Sequence, residues 1–216
     1  MKIFLGKNTP HVDQAWAIAK TIFNDIERIK DFRVLIDAVW RNPDVLLSYL
    51  WPLVIPTALL NSVNLALNFH PGSRDYPGVG CYNFALYEGA TEFGAVCHMM
   101  APKVDTGPIV DERRFPIYED SVQELQARTH AVMLAMFHDT CCRIKDGEEI
   151  QPCGVEWSRK PFTRTQLDVL SRIDPGMDAE EIARRVRATS YPGFPPYVEL
   201  GGHKFYAECR DEKRGK

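Results

Sequence analysis

Two short segments of this chain carry side chains that can do chemistry together. Asn68 and His70 lie in Asn68-Phe69-His70-Pro71-Gly72, and Asp105 begins Asp105-Thr106-Gly107-Pro108-Ile109. An amide and an imidazole can donate hydrogen bonds to the oxyanion that forms when an amine attacks an acyl carbon. A carboxylate beside the imidazole fixes its tautomer. The two segments therefore predict acyl transfer to an amine, with Asn68, His70 and Asp105 as candidate catalytic residues.

Each of these residues also has a purely structural explanation. An Asn before a turn often caps that turn, a His-Pro pair often ends a strand, and Asp-Thr-Gly is an ordinary turn sequence. The catalytic interpretation is favoured because all of them are predicted at one edge of a sheet. Open α/β sheets bind their ligands at the carboxyl ends of the strands.

The elements that position these segments alternate between strands and helices. Apolar runs predict the strands, and apolar residues at helical spacing predict the helices. The predicted strands cover residues 2–6, 45–50, 65–69, 93–100 and 109–115, and the predicted helices cover residues 12–29, 56–60, 82–88 and 122–145. This order predicts an α/β fold, a Rossmann-like, largely parallel sheet flanked by helices.

The pattern changes near residue 150. Prolines interrupt short segments there, and a helix is predicted over residues 178–188 with Asp178 as its N-cap. The pair Gly201-Gly202 between two apolar segments predicts a β-hairpin. We therefore predict a catalytic domain over residues 1–150 and a small C-terminal subdomain with a helix and a hairpin over residues 151–216.

Composition argues against several classes of protein. A net charge of −3 argues against a dedicated nucleic-acid surface. No apolar run approaches the roughly 20 residues of a membrane span, and no signal peptide is evident. The six cysteines lack the paired spacing of a zinc site, so we expect reduced thiols and no metal. We expect a cytoplasmic protein that binds neither nucleic acid nor membrane.

A set of short motifs within residues 44–117 resembles one protein family. The motifs are Asn68-Phe69-His70-Pro71-Gly72, Tyr76-Pro77-Gly78, Asn83-Phe84-Ala85, Gly94 with His98, and Asp105-Thr106-Gly107-Pro108-Ile109. Together they resemble the N10-formyltetrahydrofolate-dependent formyltransferases, which include glycinamide ribonucleotide transformylase, methionyl-tRNA formyltransferase and the sugar N-formyltransferases. The resemblance implies that Asn68, His70 and Asp105 are catalytic and that N10-formyltetrahydrofolate is the donor co-substrate.

In that family the pterin of the folate lies against two loops, one after the strand that precedes the catalytic Asn and one that delivers the catalytic Asp. Backbone groups there can read the edge of a pterin, so the resemblance implies a site that depends little on exact side chains. The residues that it implies for cofactor binding are Leu50, Trp51, Pro52, Val54, Ile55, Met100, Val104 and Asp105.

Sequence features in the N-terminal and C-terminal parts of the chain indicate which amine accepts the formyl group. The first strand ends in Leu5-Gly6-Lys7-Asn8 and lacks the glycine-rich loop of the purine-pathway transformylase. Because the chain is acidic, we do not expect the basic C-terminal domain that methionyl-tRNA formyltransferase carries. The loop Tyr191-Pro192-Gly193-Phe194-Pro195-Pro196, with Trp157 and Arg159, resembles the C-terminal part of sugar N-formyltransferases. We therefore expect an amino sugar on a nucleoside diphosphate, bound by Lys7, Asn8, Arg74, Tyr76, Tyr82, Arg113, Trp157, Tyr191 and Phe194.

Two alternatives stay open. The segment between the first helix and Asp44 is short, which implies a trimmed βα unit, so the chain could be a non-catalytic folate- or nucleotide-binding module. It could also formylate another small amine, such as a purine-pathway ribonucleotide. The aromatic hairpin and the apolar face of the 122–145 helix are compatible with a homodimer.

Overall fold

A six-stranded sheet forms the centre of the molecule. This computed structural model describes residues 1–31, 33–34, 43–191 and 195–208. The strands are β1 (Lys2–Leu5), β2 (Ile26–Ile29), β3 (Val45–Tyr49), β4 (Leu65–His70), β5 (Glu92–Met99) and β6 (Ile109–Pro116), in the order β2-β1-β3-β4-β5-β6. The first four of that order are parallel, β5 pairs antiparallel with β4, and β6 pairs antiparallel with β5. The predicted α/β fold with a largely parallel sheet is confirmed.

The alternation of side chains along β4 separates the core from the polar residues. Leu67 and Phe69 point into the main core cluster, where the ring of Phe69 lies 4.9 Å from that of Phe137. Successive residues of a strand point to opposite faces. Asn68 and His70 therefore share the other face of the sheet.

Helices cover both faces of this sheet. The helix α1 (Pro10–Ile22) is capped by Thr9, whose hydroxyl accepts the N–H of Val12. It is followed by α2 (Thr57–Leu60), α3 (Cys81–Glu88) and α4 (Val122–Lys145). The long α4 has the predicted bounds and is capped by Ser121.

The predicted helix over residues 12–29 is wrong in its second half. The helix ends at Ile22, and Ile26–Ile29 forms β2, which pairs in parallel with β1. The apolar residues in this segment have helical spacing, but the segment forms a strand because its pairing with the buried strand β1 outweighs its local helix propensity. The strand of the βα unit expected to be trimmed is thus present, and residues 35–42 after it lie outside the described part of the chain.

The C-terminal region adds two helices and a small sheet. The helix α5 (Arg164–Ser171) was not predicted, although Thr163 and Gln166 form a capping box at its start. The helix α6 (Ala179–Thr189) is capped by Asp178, as predicted. A three-stranded sheet contains β7 (Arg172–Ile173), β8 (Tyr197–Leu200) and β9 (His203–Tyr206), and the last two form the predicted hairpin.

This region packs on the main domain rather than standing apart. Leu167 and Leu170 of α5 and Ala188 of α6 share one core cluster with Phe84 and Leu86 of α3. The division at residue 150 stays a prediction. No helix in the described ranges is long and apolar enough to cross a membrane.

Candidate active site

The register of the central strands brings Asn68 and His98 together. Asn68 on β4 is the direct partner of Ser48 on β3 and of His98 on β5. Directly paired residues point to the same face of a sheet. The Nδ2 atom of Asn68 accordingly lies 3.1 Å from Nε2 of His98. The pairing of β4 with β5 thus places the side chains of Asn68 and His98 next to each other, as the first two members of a polar cluster.

Asp105 joins this cluster from the loop after β5. Its backbone has a φ of 47°, a left-handed conformation that is rare for a residue with a side chain. Its Oδ1 lies 3.4 Å from Nδ2 of Asn68 and 3.3 Å from Nε2 of His98. Its Oδ2 lies 3.3 Å from Nδ1 of His70 and accepts the N–H of Gly78 at 2.9 Å. A strained backbone that carries a buried carboxylate is typical of a functional position.

The rings of His70 and His98 each lie between two acceptors. For His98 these are the carbonyl of Met99, 2.8 Å from Nδ1, and the Asp105 carboxylate. For His70 they are the carbonyl of Tyr76, 2.9 Å from Nε2, and the other oxygen of Asp105. Each imidazole thus places one ring nitrogen 3.3 Å from an oxygen of the Asp105 carboxylate, and the two rings flank that carboxylate.

The surroundings of Asp105 keep it charged. Burial alone would raise the pKa of its carboxyl group, but the charge of His70 and the hydrogen bond from His98 act in the opposite direction. Together with the N–H of Gly78, they hold the pKa of Asp105 well below its usual value. The carboxylate is consequently ionised at any physiological pH.

The turn after Asp105 requires its glycine. A Cβ atom at Gly107 would lie 1.8 Å from the carbonyl oxygen of Met99, so no other residue fits there. The N–H of Met99 donates to the carbonyl of Pro108 at 2.8 Å, which closes the loop onto β5. The Asp105-Thr106-Gly107 sequence is therefore a tight turn as well as the carrier of the carboxylate.

Trp157 covers the two histidines. Its Nε1–H donates to the carbonyl of Gly107 at 2.8 Å. Its ring meets those of His70 and His98 edge-on, with centroids 5.8 Å and 5.2 Å away. We predicted Trp157 as a substrate-binding residue, and the structure places it against the predicted catalytic residues.

A cleft opens beside Asn68, His98 and Asp105. Its walls are the loop after β3 and the loop before Asp105, and Leu50, with a φ of 53°, forms the bend after β3. The residues that line it are Ser48, Trp51, Leu53, Val54, Ile55, Asn68, His98, Met100, Ala101, Pro102, Lys103, Val104 and Asp105. All the predicted cofactor-binding residues lie along this cleft except Leu50 and Pro52. His70 lies behind it, against Trp157.

The predicted substrate-binding residues fall into separate places. Lys7 and Asn8 are exposed in the loop after β1. The side chain of Arg74 is partly exposed and lies 3.8 Å from the carboxylate of Glu112. These residues carry polar groups that are accessible to a ligand.

Tyr76 and Tyr82 lie in the core instead. The hydroxyl of Tyr76 donates to Glu88 at 3.0 Å, and that of Tyr82 lies 3.2 Å from Nε2 of His130. Both rings are more than nine-tenths buried. Both belong to one core cluster and contact the ring of Phe93.

The remaining predicted residues are not gathered at the cleft. Arg113 points to the carboxylates of Asp111 and Asp139, at 3.1 Å and 2.8 Å. The hydroxyl of Tyr191 donates to a glutamine of α4 at 2.9 Å. Phe194 lies outside the described residues. In the described ranges, no group of three or more His, Cys, Asp or Glu side chains is arranged to hold a metal ion.

The prediction gave no role to His98 or to the N–H of Gly78. His98 was part of a motif, and its register opposite Asn68 could be inferred only from antiparallel pairing of β4 with β5. The contact of Gly78 with Asp105 joins residues 27 positions apart through a loop, so no local pattern reveals it.

Comparison with known proteins places this chain among proteins of one family and one fold. The family model described as formyl transferase matches residues 27–140. The chain is 25% identical over 174 residues to GDP-perosamine N-formyltransferase from Brucella melitensis. That alignment covers 79% of this chain and 66% of the relative, so the chain spans about two thirds of the relative's length.

Solved structures share the fold. A sugar N-formyltransferase from Shewanella sp. FDAARGOS_354 superposes with a TM-score of 0.78 at 16% identity and covers 96% of both chains. HypX from Aquifex aeolicus in complex with tetrahydrofolic acid superposes with a TM-score of 0.70 at 17% identity, over 94% of this chain and 36% of HypX. At these identities the likeness concerns the fold alone.

The family match rests on more than half of the chain and includes the strands that carry Asn68, His70 and His98. The Asp105 turn lies within the same range. The chain belongs to the formyl transferase family.

Proposed function

We propose that this protein transfers a formyl group from N10-formyltetrahydrofolate to the amino group of a nucleotide-linked amino sugar. The observation that carries this proposal is that Asn68, His98 and Asp105 line one cleft whose other lining residues are mostly apolar. Such a site offers N–H donors to an oxyanion and a proton relay to a reacting amine.

The cleft suits a folate. The N–H groups of Leu53, Val54 and Val104 donate to no other backbone group of the described chain, so they are available to the edge of a pterin. The side chains of Trp51 and Ile55 add apolar surface to the same cleft. The tetrahydrofolic acid held by the Aquifex aeolicus protein of the same fold supports this choice of donor.

In the proposed reaction, the neutral amine attacks the formyl carbon and a new C–N bond forms. The formyl oxygen becomes an oxyanion, which the amide N–H of Asn68 and an imidazole N–H stabilise. Each such donor contributes about 3 kcal/mol in comparable sites. The bond from carbon to N10 then breaks, and the proton that the amine loses reaches N10 through the pair of His98 and Asp105 at the cleft, while His70 orients Asp105 from behind. The products are the N-formyl sugar and tetrahydrofolate.

The choice of acceptor follows from the relatives. GDP-perosamine N-formyltransferase from Brucella melitensis and the Shewanella sugar N-formyltransferase are both named for sugar substrates. The exposed polar loop of Lys7 and Asn8 after β1 is the predicted place for the sugar. Parallel strands of an open sheet present such loops to their ligands.

A panel of acceptors tests the proposal. Purified protein would be incubated with N10-formyltetrahydrofolate and amino sugars linked to dTDP, GDP or UDP, and the formylated product would be measured by mass spectrometry. We expect formyl transfer to at least one of these acceptors. We also expect a loss of roughly a hundredfold or more in turnover on replacing Asn68, His70 or Asp105 by Ala, with folate still bound.

The matched control is His138→Ala, which removes a half-exposed histidine of α4. It should retain full activity. Folate binding without transfer to any sugar would favour the binding-module alternative, and transfer only to a ribonucleotide amine would favour the purine-pathway alternative. Near-full activity of all three catalytic variants would rule out the proposed mechanism.

The cytoplasm and a homodimer remain our predictions for location and assembly. Leu200, Phe205 and Tyr206 on the hairpin are more than half exposed and give a second copy an apolar surface. Sedimentation of the purified protein measures the assembly directly.

A further inference from the structure

A segment of the C-terminal region is hydrogen-bonded to the loop that supports Asp105. We define the strap as residues Trp157–Phe162. Its last residue pairs with the loop: the N–H of Phe162 donates to the carbonyl of Pro77 at 2.9 Å, and the N–H of Val79 donates to Phe162 at 3.0 Å. Near its start, the N–H of Ser158 donates to the carbonyl of Arg74 at 3.2 Å. The strap thus holds the loop over residues 74–79 at both ends.

The same loop supplies a hydrogen bond to the candidate catalytic carboxylate. The N–H of Gly78 donates to Oδ2 of Asp105 at 2.9 Å. Gly78 has a φ of 88°, and a Cβ atom there would lie 2.3 Å from the carbonyl oxygen of Phe162. The strap and the loop are therefore in backbone contact at the point where the loop reaches Asp105.

Trp157 extends the strap to the other side of the cluster. Its indole N–H bonds to Gly107, two residues after Asp105, and its ring contacts both His70 and His98. One side chain thus touches the turn that carries the carboxylate and both rings that flank it.

Arg159 fastens the strap to α3. Its guanidinium group donates to both carboxylate oxygens of Glu88, at 2.8 Å and 3.1 Å. It also lies 5.2 Å from the ring centroids of Tyr76 and Phe162. A two-bond ion pair together with two aromatic contacts restricts the side chain more than a single contact does.

From these contacts we propose that Trp157 is a positioning residue, which with its strap holds Asp105, His70 and His98 in the geometry that formyl transfer requires. Asp105 needs such support because its φ of 47° is unfavourable for a residue with a side chain. The expected effect on rate rests on the proposed function, whereas the effect on the geometry of the histidines does not.

The test compares Trp157→Phe with Trp16→Phe. Trp16 lies on α1, with its ring 5.6 Å from that of Phe4, so its replacement makes the same chemical change away from the cleft. Two quantities would be measured: the pH titration of the His70 and His98 ring C–H signals by NMR in the free protein, and kcat and KM for formyl transfer. His70→Gln and His98→Gln variants assign the signals.

We expect Trp157→Phe to shift both titration midpoints and to lower kcat by roughly ten- to a hundredfold, with KM for the donor unchanged. Trp16→Phe should do neither. Arg159→Leu keeps Trp157 but frees the strap from Glu88, and it should change the same quantities less. If Trp157→Phe fails to fold, Arg159→Leu is the variant that tests the proposal.

The outcomes separate the two proposals. Shifted titrations in a protein that formylates no sugar would support the positioning role and refute the proposed function. Unchanged titrations and unchanged kcat in folded Trp157→Phe and Arg159→Leu would overturn the positioning role, whatever the acceptor. A change in donor KM alone would also overturn it, because it would make Trp157 part of the binding surface.

Discussion

Two pairs of histidines in this molecule differ in what surrounds them. His70 and His98 flank the carboxylate of Asp105, and each ring nitrogen faces an acceptor or donor. His130 packs instead against His11, with ring centroids 4.3 Å apart. Its Nδ1 is buried and has no hydrogen-bond partner among the described residues.

The two pairs of histidines also differ in the ionisation of the groups around them. Burial, together with the neighbouring His11, lowers the pKa of His130 to about 4, so this ring is neutral at pH 7. At the cleft, the attraction of the histidines lowers the pKa of Asp105 despite its burial. Burial keeps the ring of His130 neutral, whereas His70 and His98 lie beside the carboxylate of Asp105. If this difference reflects function, substitutions around His70 and His98 should affect catalysis, whereas substitutions around His130 should affect only stability.

Asp105→Asn should give the largest effect. The substitution removes the charge between the two imidazoles while it keeps an oxygen for the N–H of Gly78. We expect kcat to fall roughly a thousandfold, because the imidazoles lose the group that orients them. Steady-state formyl transfer measures this, with the exposed Asp139→Asn as the control that should stay active. A fall of less than tenfold would show that Asp105 is structural.

The two histidine environments are compared directly by His98→Gln and His130→Gln. His98→Gln should lower kcat by roughly a hundredfold, because it removes one N–H donor that faces the cleft. His130→Gln should leave kcat within about twofold, since this ring contacts the hydroxyl of Tyr82 and no part of the cleft. Equal losses in both variants would contradict the division between the two pairs.

The sequence predicted the parts of this site that are local. The strand that ends at His70 and the turn at Asp105-Thr106-Gly107 follow from apolar runs and turn residues, and the structure has both. The long helix α4 was predicted with its bounds because capping and apolar spacing agree there. A catalytic role that depends on one residue type at the end of one strand can therefore be predicted from the sequence.

The parts that the sequence missed depend on contacts distant along the chain. Strand β2 forms because it pairs with β1, and this pairing outweighs the helical spacing of Ile26. His98 gains its role only from its register opposite Asn68. Trp157 reaches Gly107 across 50 positions, which no pattern within either segment indicates.

The pH dependence of stability should separate the two pairs again. The pKa of His130 is about 4 when folded and near 6.5 when unfolded. Between these values the unfolded chain binds the proton more tightly, so stability falls as the pH drops from 6.5 to 4. This single group contributes at most about 1.4 kcal/mol per pH unit.

His130→Gln should reduce that slope, as measured by urea unfolding at several pH values. The carboxylate of Asp105 acts in a lower range, since its lowered pKa gives stability that is lost only below about pH 4. An unchanged slope in His130→Gln would mean that His130 is protonated while buried.

Lys103→Ala should give the smallest effect and tests charge at the cleft surface rather than inside the cluster. Lys103 is exposed and lines the cleft, where its charge can attract the glutamate carboxylates of a folate. Exposed ion pairs contribute less than about 1 kcal/mol, so KM for the donor should rise about two- to fivefold with kcat unchanged. The effect should shrink as salt is raised, because salt screens exposed charges. Lys145→Ala, an exposed lysine at the end of α4, is the matched control. A fall in kcat with Lys103→Ala would instead place its charge in the reaction itself, and the contrast between buried and exposed charge would fail.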